Sequence, residues 1–223
     1  MIVRRPFAST TDAAIRRLAD AKDAFDHQSI VATSGIRVTR VDDAAGLWRQ
    51  IDSLDQSQVN LGAFVANGER AEGVLRVADV ALEEGANILS QARALAVYLA
   101  NDSFDANDRV LQANEVDRMV ESLAQIGNAQ YGKRFVFAGT AYDRQAFDVD
   151  GTYLGNSDAP TIQVSDTQFV VTGFDGGASI RPAIEALEDF AVALRTGQHS
   201  EIAAQIEVLD TAHKTLVSAR QDV

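Results

Sequence analysis

His27, His199 and His213 are the side chains of this sequence best suited to proton transfer or metal ligation near neutral pH. They stand far apart along the chain, and none has a carboxylate or a second histidine at metal-ligand spacing. His213 falls on the apolar rhythm of the last helical stretch, which makes it a partly buried packing residue. Asp148-Val149-Asp150-Gly151 carries alternate aspartates and then glycine, as the middle of a calcium loop does. The first ligand position would then be Ala146 and the closing acid Ser157, neither of which can serve, so the segment is expected to be a turn. Asp42-Asp43 offers a carboxylate pair for acid–base work but has no identifiable partner. Free backbone N–H groups at the start of a helix explain that pair fully. Neither a phosphate-cradling glycine loop nor a nucleophile elbow is present, and Trp48, Phe64 and Tyr98 lie on helical faces where core packing is expected. The sequence therefore predicts no catalytic residue, no cofactor and no metal.

The composition is that of a folded protein, with 46% hydrophobic and 23% charged residues in 223. No apolar run approaches the ~18–20 residues that a spanning helix needs. Polar Ser9, Thr10, Thr11 and Asp12 follow Arg4 and Arg5, where a secretory signal would be apolar. Cysteine is absent, which excludes disulfides and thiolate chemistry without fixing a compartment. A net charge of −12 argues against nucleic acid, whose phosphates demand a basic surface. That charge is uneven, because residues 1–40 are basic on balance and everything after them is strongly acidic.

Periodicity predicts a mainly α protein, an elongated antiparallel helical bundle with a small β-hairpin insertion. Ile15, Leu18 and Phe25 with alanines between them place a modest amphipathic helix over residues 12–30, interrupted by Thr33-Ser34-Gly35. A second helix starts near Asp42-Asp43 and runs to Ala100, with a weak point at Asn67-Gly68. Its second half steps through Leu75, Ala78, Leu82, Gly85, Leu89, Ala92, Ala96 and Leu99, alternating three and four residues, the seam of a helix packed lengthwise. Val74, Val77, Ala81, Ile88 and Leu95 add a second stripe, which requires more than one neighbour. A capping turn at residues 101–105 leads into a third helix, 106–130, with Ala113, Val116, Val120, Leu123 and Gly127 on one face. At Asn128–Thr140 the helical period stops, and residues 161–165 and 168–172 alternate as the two arms of a hairpin. Pro182 opens another helix, Gly197 breaks it, and Ser200 is placed to cap the last. The expected divisions are residues 1–40, a rod of 41–131 plus 178–223, and an insertion of 132–177.

Three segments together resemble the bacterial flagellin-type family. Ser34-Gly-Ile-Arg-Val-Thr-Arg-Val-Asp-Asp-Ala-Ala-Gly46 is similar to its N-terminal motif, in which serine-glycine-x-arginine precedes aspartate-aspartate-alanine-alanine-glycine. Leu89 to Arg109, with Asn101 and then Asp108-Arg109, is similar to the family's next helix and turn. Asn128–Thr140, followed by Gln145-Ala-Phe147 and Tyr153-Leu-Gly155, resembles the hook-associated junction branch (hook-associated protein 3) more than true flagellins. The family motif has asparagine where Thr39 stands and one more residue before the aspartates.

The resemblance implies a structural, non-enzymatic role in the flagellum, joining hook and filament. It implies self-association in a ring, contact with flagellin and another hook-associated protein, and dealings with the flagellar export apparatus and its chaperone. It also implies an extracellular place in the flagellum, reached without a cleavable signal peptide, and neither nucleic-acid binding nor membrane insertion. Ser34, Gly35, Arg37, Asp42 and Asp43 of the motif, with Ile15, Leu18 and Phe25 of the first helix, are the expected subunit contacts. Family members continue past the position of Val223 with a helix that pairs with the N-terminal one, so residues 1–35 are expected to be unpacked in an isolated copy. A flagellin forming the filament itself, and a helical-bundle adaptor or chaperone, are the alternative readings.

Overall fold

The computed structural model describes residues 7–35, 45–100, 104–197 and 199–223. Contacts divide the chain into two units, residues 1–60 and 61–223. Among the described residues six helices and four short strands follow in order: α1 (Phe7–Ser34), α2 (Ala45–Ala100), α3 (Ala106–Gly127), β1 (Gln130–Tyr131), β2 (Arg134–Phe135), β3 (Thr161–Gln163), β4 (Phe169–Val171), α4 (Gly176–Ser179), α5 (Arg181–Thr196) and α6 (His199–Gln221). The mainly α class with a small β insertion is as expected.

In the first unit, α1 ends where Thr33 and Ser34 hydroxyls donate back to Ser29 O and Ile30 O, and Gly35 follows at φ 68. That left-handed φ suits glycine and stops the helix, as the Thr33-Ser34-Gly35 break predicts. Leu18 and Phe25 are each 73% exposed, and Ile30 is also exposed. On the first turns of α2, Leu47, Ile51, Leu54 and Val59 are exposed as well.

The second unit holds the core. Gly85 on α2 is buried, and a Cβ there would lie 3.1 Å from Leu123 on α3 and 3.3 Å from Leu216 on α6. The missing side chain lets three helices approach at one level. Ion pairs give α6 its direction against α2, since Arg220 meets Asp79 (2.6 Å) and Glu83 (3.0 Å) while Arg93 meets Asp210 (3.5 Å). Residue numbers rise on one helix as they fall on the other, so the pair is antiparallel. Arg195 on α5 pairs with Asp117 on α3, and α5 turns into α6 at Gly197 (φ 80). The result is a four-helix bundle of α2, α3, α5 and α6 in antiparallel succession.

The predicted α2 seam is buried from Ala78 through Leu82, Leu89, Ala92 and Ala96 to Leu99, while Leu75 at its start is half-buried. The second stripe is buried at Val74 and Ala81 and half-buried at Val77, Ile88 and Leu95. α2 continues without a break through Asn67-Gly68. There the Asn67 amide donates to Gln163 O (2.8 Å), so the expected weak point is a contact with the insertion. α3 begins where the Asp105 carboxylate accepts from the N–H groups of Asn107 and Asp108, both at 2.8 Å. It stops at Gly127, three residues before its predicted end. α6 starts at His199, so Ser200 lies within its first turn and not at the cap. Tyr98 departs from its expected core place. It is 58% exposed near the C-terminal end of α2 and stacks edge-on against Phe104, 5.0 Å between ring centroids. Phe64 and Trp48 are half-buried, each in its own unit.

Candidate functional site

The groups that could do chemistry are dispersed. His213 is half-buried on α6, as its place in the apolar rhythm predicts, His27 lies on α1, and His199 opens α6 at the surface. Among the described residues there is no group of three or more His, Cys, Asp or Glu that could hold a metal. Asp148–Gly151 is a turn, with Gly151 N–H donating to Asp148 O (3.0 Å), Asp148 N–H to Thr152 O (2.9 Å), and Gly151 at φ 73. Among the described residues no helix is long and apolar enough to cross a membrane.

The structure instead concentrates its specific geometry where the insertion meets the bundle. The Asn128 carboxamide, one residue past α3, donates to Phe147 O (2.8 Å) and accepts from Phe147 N–H (2.9 Å). One side chain thus satisfies both backbone groups of a residue nineteen positions on. The Phe147 ring lies buried between two glycines. A Cβ on Gly127 would sit 2.5 Å from it, and one on Gly176 2.8 Å. Tyr153 stacks on the other side at 5.3 Å. Its hydroxyl lies 3.1 Å from Phe137 O and 2.9 Å from Asn156 O. Burial, with the charge of Asp175 second, pushes the Tyr153 phenol up to about 12.

Phe137-Ala-Gly-Thr140 is threaded through the middle of this arrangement. Phe174 N–H donates to Val136 O (2.8 Å), Gly176 N–H to Phe137 O (2.9 Å), and Gly139 N–H to Phe174 O (3.2 Å). Gly139 has φ 64, and a Cβ on it would meet Asn156 O at 2.2 Å, so both conformation and space call for glycine. The Asn156 amide accepts from Thr140 N–H (2.9 Å) and donates to Thr140 Oγ1 (2.8 Å). β1 and β2 pair antiparallel through a two-residue loop that begins with Gly132 at φ 65. β3 and β4 form the predicted hairpin, with Ile162 opposite Val170.

Of the expected contact residues, Ser34 and Gly35 end α1 at the surface, and Leu18 and Phe25 are exposed on it. Ile15 lies within α1, but its side chain is outside the described residues, as are Arg37, Asp42 and Asp43 entirely. The turn helix α4 and the Asn128–Phe147 amide pair were not foreseen. The Asp175-Gly-Gly sequence signals the first, since the Asp175 carboxylate accepts from Gly177 N–H at 2.8 Å. No periodicity signals the second.

The described residues form a helical bundle that carries a tightly built insertion. The profile of the bacterial flagellin N-terminal helical region matches residues 9–142, more than half of the chain. The chain belongs to the bacterial flagellin family. Flagellin A of Helicobacter felis is 31% identical over 123 residues, 54% of this chain and 23% of the relative. Flagellin A of Helicobacter pylori is 30% identical over 127 residues, 56% and 24%. The chain thus spans about a quarter of the length of these curated relatives. Its fold is similar to that of Bacillus cereus FlgL, with TM-score 0.68 and 18% identity, covering 78% of this chain and 87% of that one. A flagellar hook-associated protein from Vibrio parahaemolyticus is similar at TM-score 0.70 and 17% identity, covering 82% and 87%.

Proposed function

We propose that this chain is a structural subunit of the bacterial flagellum that joins hook to filament. The observation that carries the reading is the extent of the fold likeness. The likeness takes in most of two chains named FlgL and hook-associated protein, whereas the matched flagellins extend far beyond what this chain spans. The insertion between α3 and α5 supports the same branch, because Asn128, Phe137–Thr140, Phe147 and Tyr153, the residues of the sequence resemblance, are the ones that build it.

In this reading the protein works without catalysis, by copies packing side by side in a ring between flagellin and another hook-associated protein. It reaches that extracellular place through the flagellar export apparatus and its chaperone, without a cleaved signal. Residues 1–40 form the contact segment, the helices of 41–131 and 178–223 the strut, and 132–177 the insertion. Leu18 and Phe25, exposed on α1, are apolar side chains that gain by burial in a neighbour. Ile15, Ser34, Gly35, Arg37, Asp42 and Asp43 belong to the same contact.

The test is decoration of isolated hook–basal bodies with labelled full chain, viewed by electron microscopy. Label confined to the distal end of hooks is expected. Long filaments grown without hooks would support a flagellin, and label absent from hooks would overturn the assignment.

A further inference from the structure

The insertion carries an exposed aliphatic knob and, lined by other residues, a small socket. The knob is Val149, the tip of the turn after β2. At 79% exposed it is an isolated aliphatic group in water, flanked by Asp148 and Asp150. The turn is stiff, because Gly151 closes it at φ 73 and Arg181 at the start of α5 donates to Gly151 O (2.6 Å). Asp148 Oδ1 accepts from Val149 N–H (2.7 Å), which holds the tip in one shape.

The socket is a cavity of ≈120 Å³ between α2 and the two hairpins. Val74, Phe135, Val136, Pro160 and Ile162 line it with apolar surface, and Arg70, Arg134, Tyr131 and Tyr142 bring polar groups to it. Among the described residues no carboxylate lines it. Arg134 is held over the Tyr142 ring at 4.0 Å, and Gly73 leaves the room in which the Tyr131 ring lies against α2. Arg76, Arg93, Arg118, Arg181, Arg195 and Arg220 all form ion pairs. Arg70 and Arg134, like Arg16, Arg17, Arg109 and Arg144, form none among the described residues, and of these Arg70 and Arg134 line this cavity.

We propose that the Val149 turn of one copy docks into the Arg70–Arg134 socket of a second copy. The volume suits one branched aliphatic side chain, and the two flanking aspartates meet the two unpaired guanidinium groups. In the free chain Val149 is exposed, so its own socket does not receive it. Made head-to-tail, with each knob in the socket of the next copy, the contact closes a ring or extends a helix when it is repeated. This rests on the reading that the chain self-associates, and it supplies that association with a specific pair of surfaces.

The absence of cysteine makes a clean test. Full-length Val149→Cys and Thr161→Cys chains are mixed and oxidised, with Val192→Cys on the exposed face of α5 as a control for random collision. The expected result is a disulfide heterodimer of Val149→Cys with Thr161→Cys, formed at least tenfold faster than any pair with Val192→Cys. Arg134→Glu in the Thr161→Cys chain should abolish it, and Asp148→Arg with Asp150→Arg in the other chain should restore it. Circular dichroism melts of each variant confirm that the fold survives. Equal rates with the control, preferential Val149–Val149 dimers, or indifference to charge reversal in folded variants would overturn the proposal. Hook decoration that persists with Arg134→Glu would overturn the docking while leaving the junction reading intact. Absence of all decoration, with specific cross-linking preserved, would do the opposite.

Discussion

A single carboxamide joins the end of α3 to the insertion. Asn128 supplies Phe147 with a donor and an acceptor, and both backbone groups lose their partners if it is truncated. Asn128→Ala should therefore cost about 2–3 kcal/mol, the price of stranding buried polar groups, read from urea unfolding followed by circular dichroism. Asn128→Asp keeps the acceptor and loses the donor, and should fall between the two. Tyr153 sets the behaviour at high pH. Its folded-state pKa of about 12 lies above the ordinary 10.0, so the folded chain holds that proton more tightly than the unfolded one. That contribution is complete below pH 10 and is lost as pH rises toward 12. Tyr153→Phe should flatten this alkaline decline in a series of thermal melts, while lowering stability near pH 7 by about 1 kcal/mol through the lost hydroxyl contact. An alkaline slope equal to that of the unaltered chain would place the titrating group elsewhere. Both residues were legible as members of a motif. Their roles were not, since the contacts join positions far apart in sequence with no period to betray them.

At the scale of elements, the helices were the readable part. The three- and four-residue steps from Ala78 to Leu99 match the buried face of α2 because a bundle helix must turn one stripe inward along its whole length. Leu82 is 1% exposed in that stripe, so Leu82→Asp should unfold the bundle, with a loss exceeding about 4 kcal/mol and no cooperative transition in calorimetry. Unchanged melting would mean that the seam is not the core. What periodicity could not supply were helix ends and short elements. Tyr98 sits on the helical rhythm but is exposed near the C-terminal end of α2, and α4 is too short to show any rhythm. The α2–α6 register rests on charge as well as packing. Across the two helices Arg220 holds the Asp79 carboxyl below the usual range, and within α6 Lys214 does the same for Asp210, with a smaller push from Arg93 of α2. Stability from these pairs is present above about pH 4 and fades as pH falls through the lowered values. Arg220→Gln should abolish the Asp79 share of that acid sensitivity and change stability little at neutral pH, because the pair is exposed to solvent. Titrating thermal stability from pH 6 to pH 2 in 10 mM and 500 mM salt checks both statements, and salt should shrink the difference.

For the whole molecule, stability and assembly should separate by residue. The buried seam, the Phe147 seat and the Asn156–Thr140 bonds all lie in residues 61–223, whereas Leu18, Phe25, Ile30, Leu47, Ile51, Leu54 and Val59 are exposed in residues 1–60. An exposed side chain contributes little to the free chain, so truncating it changes folding by no more than about 0.5 kcal/mol. The same side chain buried against a neighbour is worth about 1.5–3 kcal/mol, and a ring repeats that gain at every contact. Leu18→Ser with Phe25→Ser should accordingly leave the melting temperature of the isolated chain within error of the original while abolishing hook decoration. The Asn128→Ala chain should behave in the opposite way, melting earlier yet still decorating hooks at temperatures where it is folded. If the Leu18→Ser, Phe25→Ser chain decorates hooks as well as the original, α1 is not an assembly surface, and the contact must be sought in residues 61–223. If instead it melts earlier, α1 packs within its own copy, and its apolar residues serve the fold before they serve assembly.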